Sequence, residues 1–379
     1  MYEQNIMYEQ NMDIQRGIRA FVEDIIKPNA EQVDRKEEVS EELMLEIKKS
    51  GYLGATISKK YGGLAYNNKD LFILHEEAGK GCSSFRSLLT VHGMVSVAIE
   101  RWGDEEQKEK YLPLLAKGDL IASFALSEPE AGSDISQIKT KAELSGDQYI
   151  LNGSKKWTTF GQIADLFLVF VLCNEKPTAL LLDRNTDGFQ IIPINGLLGA
   201  RGSMIAELKF EDCKVDKDKM IGRPGMGLSH IALSCLDYGR FFVASSCVGL
   251  SQACLEASLD YSKKRKCSGK AIRKHQLIQK KISEMIVNTE ASRLLCQKAA
   301  YLKDQKDPNS IMATWHAKYF AAKTAVKVAS EAVQIHGANG CISSNSVERY
   351  YRDAKINEII EGSNEIHELL ISINGYKNY

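Results

Sequence analysis

Apolar residues recur at every third or fourth position from about Asp13 to Lys117, as at Ile18, Phe21 and Ile25 or at Leu43, Ile47 and Leu53. That period predicts amphipathic helices, with Gly51 and Gly62-Gly63 as stops. Between about Leu120 and Gly222 the pattern changes to short β-rich runs, among them Leu166–Leu172, Thr178–Leu182 and Glu207–Phe210. Turn chemistry such as Asn152-Gly153 and Asp187-Gly188 separates them. After Gly225-Met226-Gly227 the helical period returns in long segments, Leu228–Lys264, His275–Leu302 and Ile311–Ile335. The order predicts an α+β chain with a helical domain over 1–119, a β domain over 120–224 and a helical bundle over 225–379.

Composition narrows the function classes. Lys plus Arg and Asp plus Glu number 49 each, so no net charge draws the chain to nucleic acid or to an anionic membrane. No uninterrupted apolar run approaches the roughly 20 residues of a bilayer span, and the start lacks a basic, apolar leader, which together predict a cytoplasmic address. The run Met1-Tyr2-Glu3-Gln4-Asn5 repeats as Met7-Tyr8-Glu9-Gln10-Asn11 and carries no assigned function. Nine cysteines without a C-x-x-C pair fit reduced thiols, and seven histidines without H-E-x-x-H give no metal-ligand spacing, so no metal is expected.

The chemistry concentrates near the end, in Tyr351–Ile366, where Glu361-Gly362-Ser363 follows an apolar, helix-like run. As local structure this is a helix boundary: Ile360 is the last buried residue, Gly362 permits positive φ, and Ser363 caps a new helix with Glu365 in its first turn. A carboxylate pinned there is partly desolvated, which raises its pKa and suits it to accept a proton. Four further segments precede it, Phe124–Asp134 (with Leu126, Ser127 and Ser133), Asn152–Gly161 (with Trp157 and Thr159), Asp237-Tyr238-Gly239-Arg240, and Gln334–Gly340. In this order and at these spacings, the five resemble the acyl-CoA dehydrogenase family of flavoproteins.

The resemblance implies a helical domain, a β domain and a C-terminal bundle that drives homodimer or homotetramer assembly. It also implies FAD held without a Rossmann fingerprint, in keeping with the absence of a G-x-G-x-x-G after a strand. Glu361 matches the family's base, removing the α-proton while the β-hydride passes to the flavin. Phe124, Leu126, Ser127, Trp157 and Thr159 match the flavin-ring site. Arg265 matches an arginine that reaches the FAD diphosphate of a neighbouring subunit, and Gln334 and Gly337, with Ser363 and Glu365, match the rest of the cofactor site. Ser133, Asp237 and Arg240 match positions near the pantetheine arm and acyl group. Two positions depart from the family pattern, Ser268 for a phenylalanine and Phe160 for an asparagine. One branch takes its base from the residue before the arginine of the Asp237–Arg240 helix motif, which here is Gly239, so Glu361 stands alone.

The segment Ser84–His92 corresponds to the far end of the acyl pocket, and Arg86, Thr90 and His92 make it polar. An arginine there resembles glutaryl-CoA dehydrogenase. The wider run Arg86–Met94 looks closer to dehydrogenases that make hydroxymalonyl and aminomalonyl extender units on acyl carrier proteins for polyketide assembly. The expected substrate is therefore a small polar acyl group on a carrier protein, with an electron-accepting flavoprotein as a further partner. Two competing readings are a flavin oxidase or monooxygenase of the same fold and a non-catalytic helical interaction protein.

Overall fold

The computed structural model describes residues 2–378, with side chains from Met12 to Lys377. The side chains of the repeated opening run lie outside the described residues. Helix α1 (Tyr2–Phe21) passes through a π-helical turn, Val22–Ile26, into α2 (Lys27–Lys36), followed by α3 (Glu41–Lys49), α4 (Asn68–Gly81), α5 (Ser83–Trp102) and α6 (Glu105–Lys117). Side-chain chemistry sets the ends: Asp104 and Gln107 form a reciprocal capping box at the start of α6, and Gly118 closes it with φ 74°. From Ser83 to Ile99 every residue of α5 is buried. A charged residue in such a helix depends on internal partners.

The middle of the chain forms β1 (Ala122–Ala125), β2 (Lys141–Ser145), β3 (Gln148–Thr158), β4 (Leu166–Cys173), β5 (Lys176–Asp183), β6 (Phe189–Pro193), β7 (Ala206–Asp216) and β8 (Met220–Ile221). Seven pair in the order β6-β7-β3-β2-β4-β5-β8, and β1 runs parallel to β4 with Ala122 opposite Leu166. Strand β4 is apolar throughout because both of its faces are covered. Its partner β5 keeps full register from Leu166–Asp183 to Cys173–Lys176. Strand β3 instead slips against β7 between Lys155 and Thr158. That irregularity lifts Trp157, at φ 66°, out of the ladder.

The C-terminal part comprises α7 (Leu233–Lys264), the hairpin β9 (Lys266–Cys267) and β10 (Lys270–Ala271), then α8 (Gln276–Asp304), α9 (Ser310–His336), α10 (Ser346–Asn357) and α11 (Asn364–Asn378). A π-helical turn, Gly227–Ala232, precedes α7, so the regular helix starts later than the apolar period. The span Gly227–Lys264 is long and apolar enough to cross a bilayer, which the sequence expectation missed, but 72% of its most apolar window is buried inside the fold. It is apolar all round because α4, α5, α8, α9 and α10 surround it. Helix α9 lies against it through a stripe of buried alanines that includes Ala317, Ala321 and Ala325.

Helix α10 ends at Asn357, three residues before the expected boundary at Ile360, which sits partly buried in the following turn. All nine cysteines are free; seven are buried, while Cys267 and Cys341 are exposed. Among the described residues no group of three or more His, Cys, Asp or Glu is placed to hold a metal ion.

Candidate active site

The turn between α10 and α11 forms the centre of the site. Glu361 has φ 55° and Gly362 φ 92°, two successive left-handed residues that reverse the chain. Three successive carbonyls are then held from three different helices. Arg240 Nε of α7 donates to Glu361 O (3.2 Å), Lys318 Nζ of α9 to Gly362 O (2.6 Å), and His367 Nδ1 of α11 to Ser363 O (2.9 Å). The Arg240 guanidinium is itself buried and lies 5.7 Å from the centre of the Trp315 ring.

None of these donors reaches the Glu361 side chain. The residue as a whole keeps some solvent exposure, but its Oε2 is buried with no hydrogen-bond partner. Burial pushes the carboxyl up to about 7, against the lowering influence of the nearby Arg240, Arg86 and Lys318 charges. The carboxylate lies over α7 at Gly239, where an added Cβ would collide with Oε2 and approach Met94 Sδ. Glycine at that position is what leaves room for the acid.

Arg86 lies deep in α5, 2% exposed. Its Nη2 donates to Asn357 Oδ1 (3.0 Å), and Nε is buried without a partner. No carboxylate pairs with it among the described residues, although it is close enough to feel Glu361. The neighbouring sequence expectations need correction. Thr90 Oγ1 donates back to the Arg86 carbonyl (2.9 Å), so that hydroxyl is already engaged within its own helix. His92 is a strut: Nε2–H donates to Leu115 O (3.0 Å), and Nδ1 accepts from the Ala122 N–H (3.2 Å). Burial takes its pKa down to about 4, so it stays neutral. Arg86 is the charged group of this region, Thr90 Oγ1 keeps acceptor capacity after its one donated bond, and His92 has both ring nitrogens committed to backbone.

Asp237 is engaged as well, pairing through Oδ2 with Lys303 of α8. Ser133 is exposed in the loop after β1. Along β1 and β3, Phe124 is half-buried with its ring 4.9 Å from Phe170, Leu126 is buried, and Ser127 is half-buried. Ser123 Oγ donates to the Thr159 carbonyl (2.7 Å), tying the two loops together. Trp157 is 55% exposed. Phe160, at φ 55°, is fully buried, and its N–H bonds Ser203 O (2.8 Å). An asparagine tolerates that backbone better; here core packing holds the aromatic ring in place.

Arg265, Gln334 and Gly337 do not join this centre within one chain. Arg265 caps the end of α7, 25 residues beyond Arg240, or about 37 Å along a helix. It is exposed, as is Gln334 at the end of α9, and Gly337 has φ 60° with open space around it. Ser268 and Gly269, both at positive φ, turn the hairpin between β9 and β10. Ser363 borders the centre as the residue before α11, and Glu365 is exposed in that helix's first turn.

The sequence reading missed Lys318, His367, Trp315 and Asn357. Lys318 could have been found, since it interrupts an alanine stripe at helical spacing with a charge. It also missed the buried pair of Lys155 and Glu128 (2.7 Å), which braces the loop carrying Ser127.

A flat aromatic cofactor fits the β side of the site. An exposed indole adjoins two half-buried hydroxyl residues, and Thr158 Oγ1 is a buried polar atom with no partner. Comparison with known proteins agrees with the geometry. Models for the acyl-CoA dehydrogenase N-terminal, middle and C-terminal domains match residues 8–119, 123–213 and 225–374. The chain belongs to the acyl-CoA dehydrogenase family and is an FAD-dependent oxidoreductase. It is 36% identical to the short-chain specific acyl-CoA dehydrogenase of Clostridium acetobutylicum, over 97% of this chain and 98% of that one. Among solved structures, a glutaryl-coenzyme A dehydrogenase in complex with glutaryl-CoA superposes with TM-score 0.93 at 32% identity, covering 98% and 96% of the two chains. FkbI, described for biosynthesis of the methoxymalonyl extender unit of the polyketide FK520, superposes with TM-score 0.89 at 29% identity, covering 95% and 99%.

Proposed function

We propose that this enzyme oxidises a small, polar acyl thioester carried on an acyl carrier protein, yielding a hydroxymalonyl- or aminomalonyl-type extender unit for polyketide assembly. The observation that carries the reading is Arg86, a buried guanidinium with no carboxylate partner and an unbonded Nε. An unpaired buried charge is costly. A distal carboxylate or aldehyde hydrate on the substrate would supply the missing acceptor through a charge-assisted hydrogen bond. The likeness to FkbI supports the carrier-bound form.

Glu361 removes the proton from the carbon next to the thioester carbonyl; it is the buried, unpartnered carboxylate whose pKa of about 7 matches working pH. FAD, when bound, supplies the acceptor for the β-hydride, which no side chain can provide. Phe124, Leu126, Ser127, Trp157 and Thr159 would hold its ring, and Ser363, Glu365, Gln334 and Gly337 its remainder, with Arg265 of the partner subunit in a homo-oligomer. For a hydrated 2-hydroxy-3-oxopropionyl group, loss of the C2 proton and of hydride from C3 leaves –C(OH)=C(OH)2, the enol form of the acid, which tautomerises to the carboxylic acid. An electron-accepting flavoprotein then reoxidises the enzyme.

A second reading, a short-chain or glutaryl-type acyl-CoA dehydrogenase, draws on the same arginine, which suits a glutaryl carboxylate equally well, and on the glutaryl-CoA dehydrogenase neighbour. Mass spectrometry after incubating the enzyme with matched carrier-bound and CoA-bound thioesters separates the two. Oxidation of carrier-bound polar acyl groups well ahead of the CoA esters is expected, and Arg86→Leu should slow it about 10- to 100-fold. Efficient oxidation of butyryl-CoA by the wild type, with Arg86→Leu neutral, overturns the polar-acyl assignment.

A further inference from the structure

Lys318 is fully buried in α9, on a face made largely of alanine, and it makes no ion pair among the described residues. Its Nζ is spent on the Gly362 carbonyl at 2.6 Å. Arg240 holds the preceding carbonyl, so the peptide planes on either side of Gly362 are fixed by two cations from two different helices. Neither cation bonds the Glu361 carboxylate, yet both lie near enough to lower its pKa. We infer that Lys318 is a positioning residue: it pins the Gly362 peptide, holds the left-handed turn that presents Glu361, and acts on the base through space without neutralising it. The inference rests on Glu361 being the base.

The groups facing Lys318 come from each packed element. Cys247 and Arg240 lie on α7, Glu358 and Glu361 on the turn, and His367 on α11. Burial lowers the ammonium to about 8, so it is charged where Glu361 works. A direct Lys318–Glu361 ion pair would lower the carboxylate's proton affinity and weaken it as a base. Committing the ammonium to a carbonyl avoids this and keeps the turn rigid.

The test uses the FAD-loaded enzyme and reads the acidic limb of kcat/KM against pH. Lys318→Met, an apolar replacement of similar length, is expected to move that limb to higher pH by about half to one unit and to lower kcat about 10- to 100-fold, with KM little changed. Lys318→Gln keeps a donor without the charge; it should restore much of kcat while leaving the limb displaced. Lys318→Arg should return the limb toward the wild-type position. In a Glu361→Gln background, Lys318→Met should cost nothing further, because the two act in series. Flavin absorbance and thermal unfolding confirm folding, and Lys318→Gln carries the test if Lys318→Met does not fold. A limb that stays put in Lys318→Met or Lys318→Gln, while Glu361→Gln is inactive, overturns the inference. Near-normal turnover by Glu361→Gln instead overturns the assignment of the base.

Discussion

Two glutamates with buried carboxylate oxygens, each near a buried lysine, are arranged in opposite ways. Glu128, in the loop after β1, receives the Lys155 ammonium (2.7 Å), the Thr140 hydroxyl (2.6 Å) and the N–H groups of Lys139 (2.6 Å) and Thr140 (3.0 Å). Burial pushes its carboxyl up, but the Lys155 charge and these hydrogen bonds outweigh it and hold the group below its ordinary range. Glu361 has a comparable cation nearby, and that cation is bonded to a backbone carbonyl. Its Oε2 receives nothing, and its pKa rises to about 7. Where the donors are aimed, rather than how deep the acid lies, separates a structural carboxylate from one able to take a proton.

The largest effect that would break this comparison is on turnover. Glu361→Gln is nearly isosteric and should keep FAD while losing about 100- to 10,000-fold in rate, measured under single-turnover flavin reduction. Glu128→Gln should leave the base intact but strand Lys155, costing about 3–5 kcal/mol in chemical denaturation. Equal losses of activity in both variants, at equal stability, would erase the distinction.

A smaller effect sharpens the contrast through pH. The folded pKa of Glu361 lies above its ordinary 4.5, so the stability conferred by its protonated form is present below about 4.5 and is lost as pH rises through about 7. From pH 5 to pH 8 the wild type should lose about 2–3 kcal/mol relative to Glu361→Gln. Glu128, shifted the other way, contributes stability that is present above its ordinary pKa and is lost as pH falls through its depressed value. Denaturant titrations at pH 5 and pH 8 measure the Glu361 slope, and a series taken below the ordinary carboxylate pKa measures that of Glu128. The smallest expected change is in Arg240→Lys, which keeps the charge but loses the Nε bond to Glu361 O; a decrease of a few-fold to about 10-fold in kcat is expected.

The same contrast explains what could be read from the chain. Helices α8 and α9 and strands β4 and β5 follow their apolar periods to within a few residues, because single-element burial writes itself into local spacing. The turn that carries Glu361 was legible through its glycine and hydroxyl neighbours. The contacts that tune it were not. Lys318 lies 44 positions from the carbonyl it holds, and Arg240 lies 121 from its own. His92 was not legible for the converse reason, since a polar residue in a helix does not declare whether its hydrogen bonds go to a pocket or to the backbone.

The glycine beneath the carboxylate makes positions 239 and 361 a matched pair. A Cβ at 239 would meet Oε2 of Glu361, and the carboxyl end would have to swing aside to accommodate it. The direction in which the acid points is therefore set partly by a side chain that is missing from the facing helix, so a change at Gly239 re-aims the carboxylate without altering residue 361 itself.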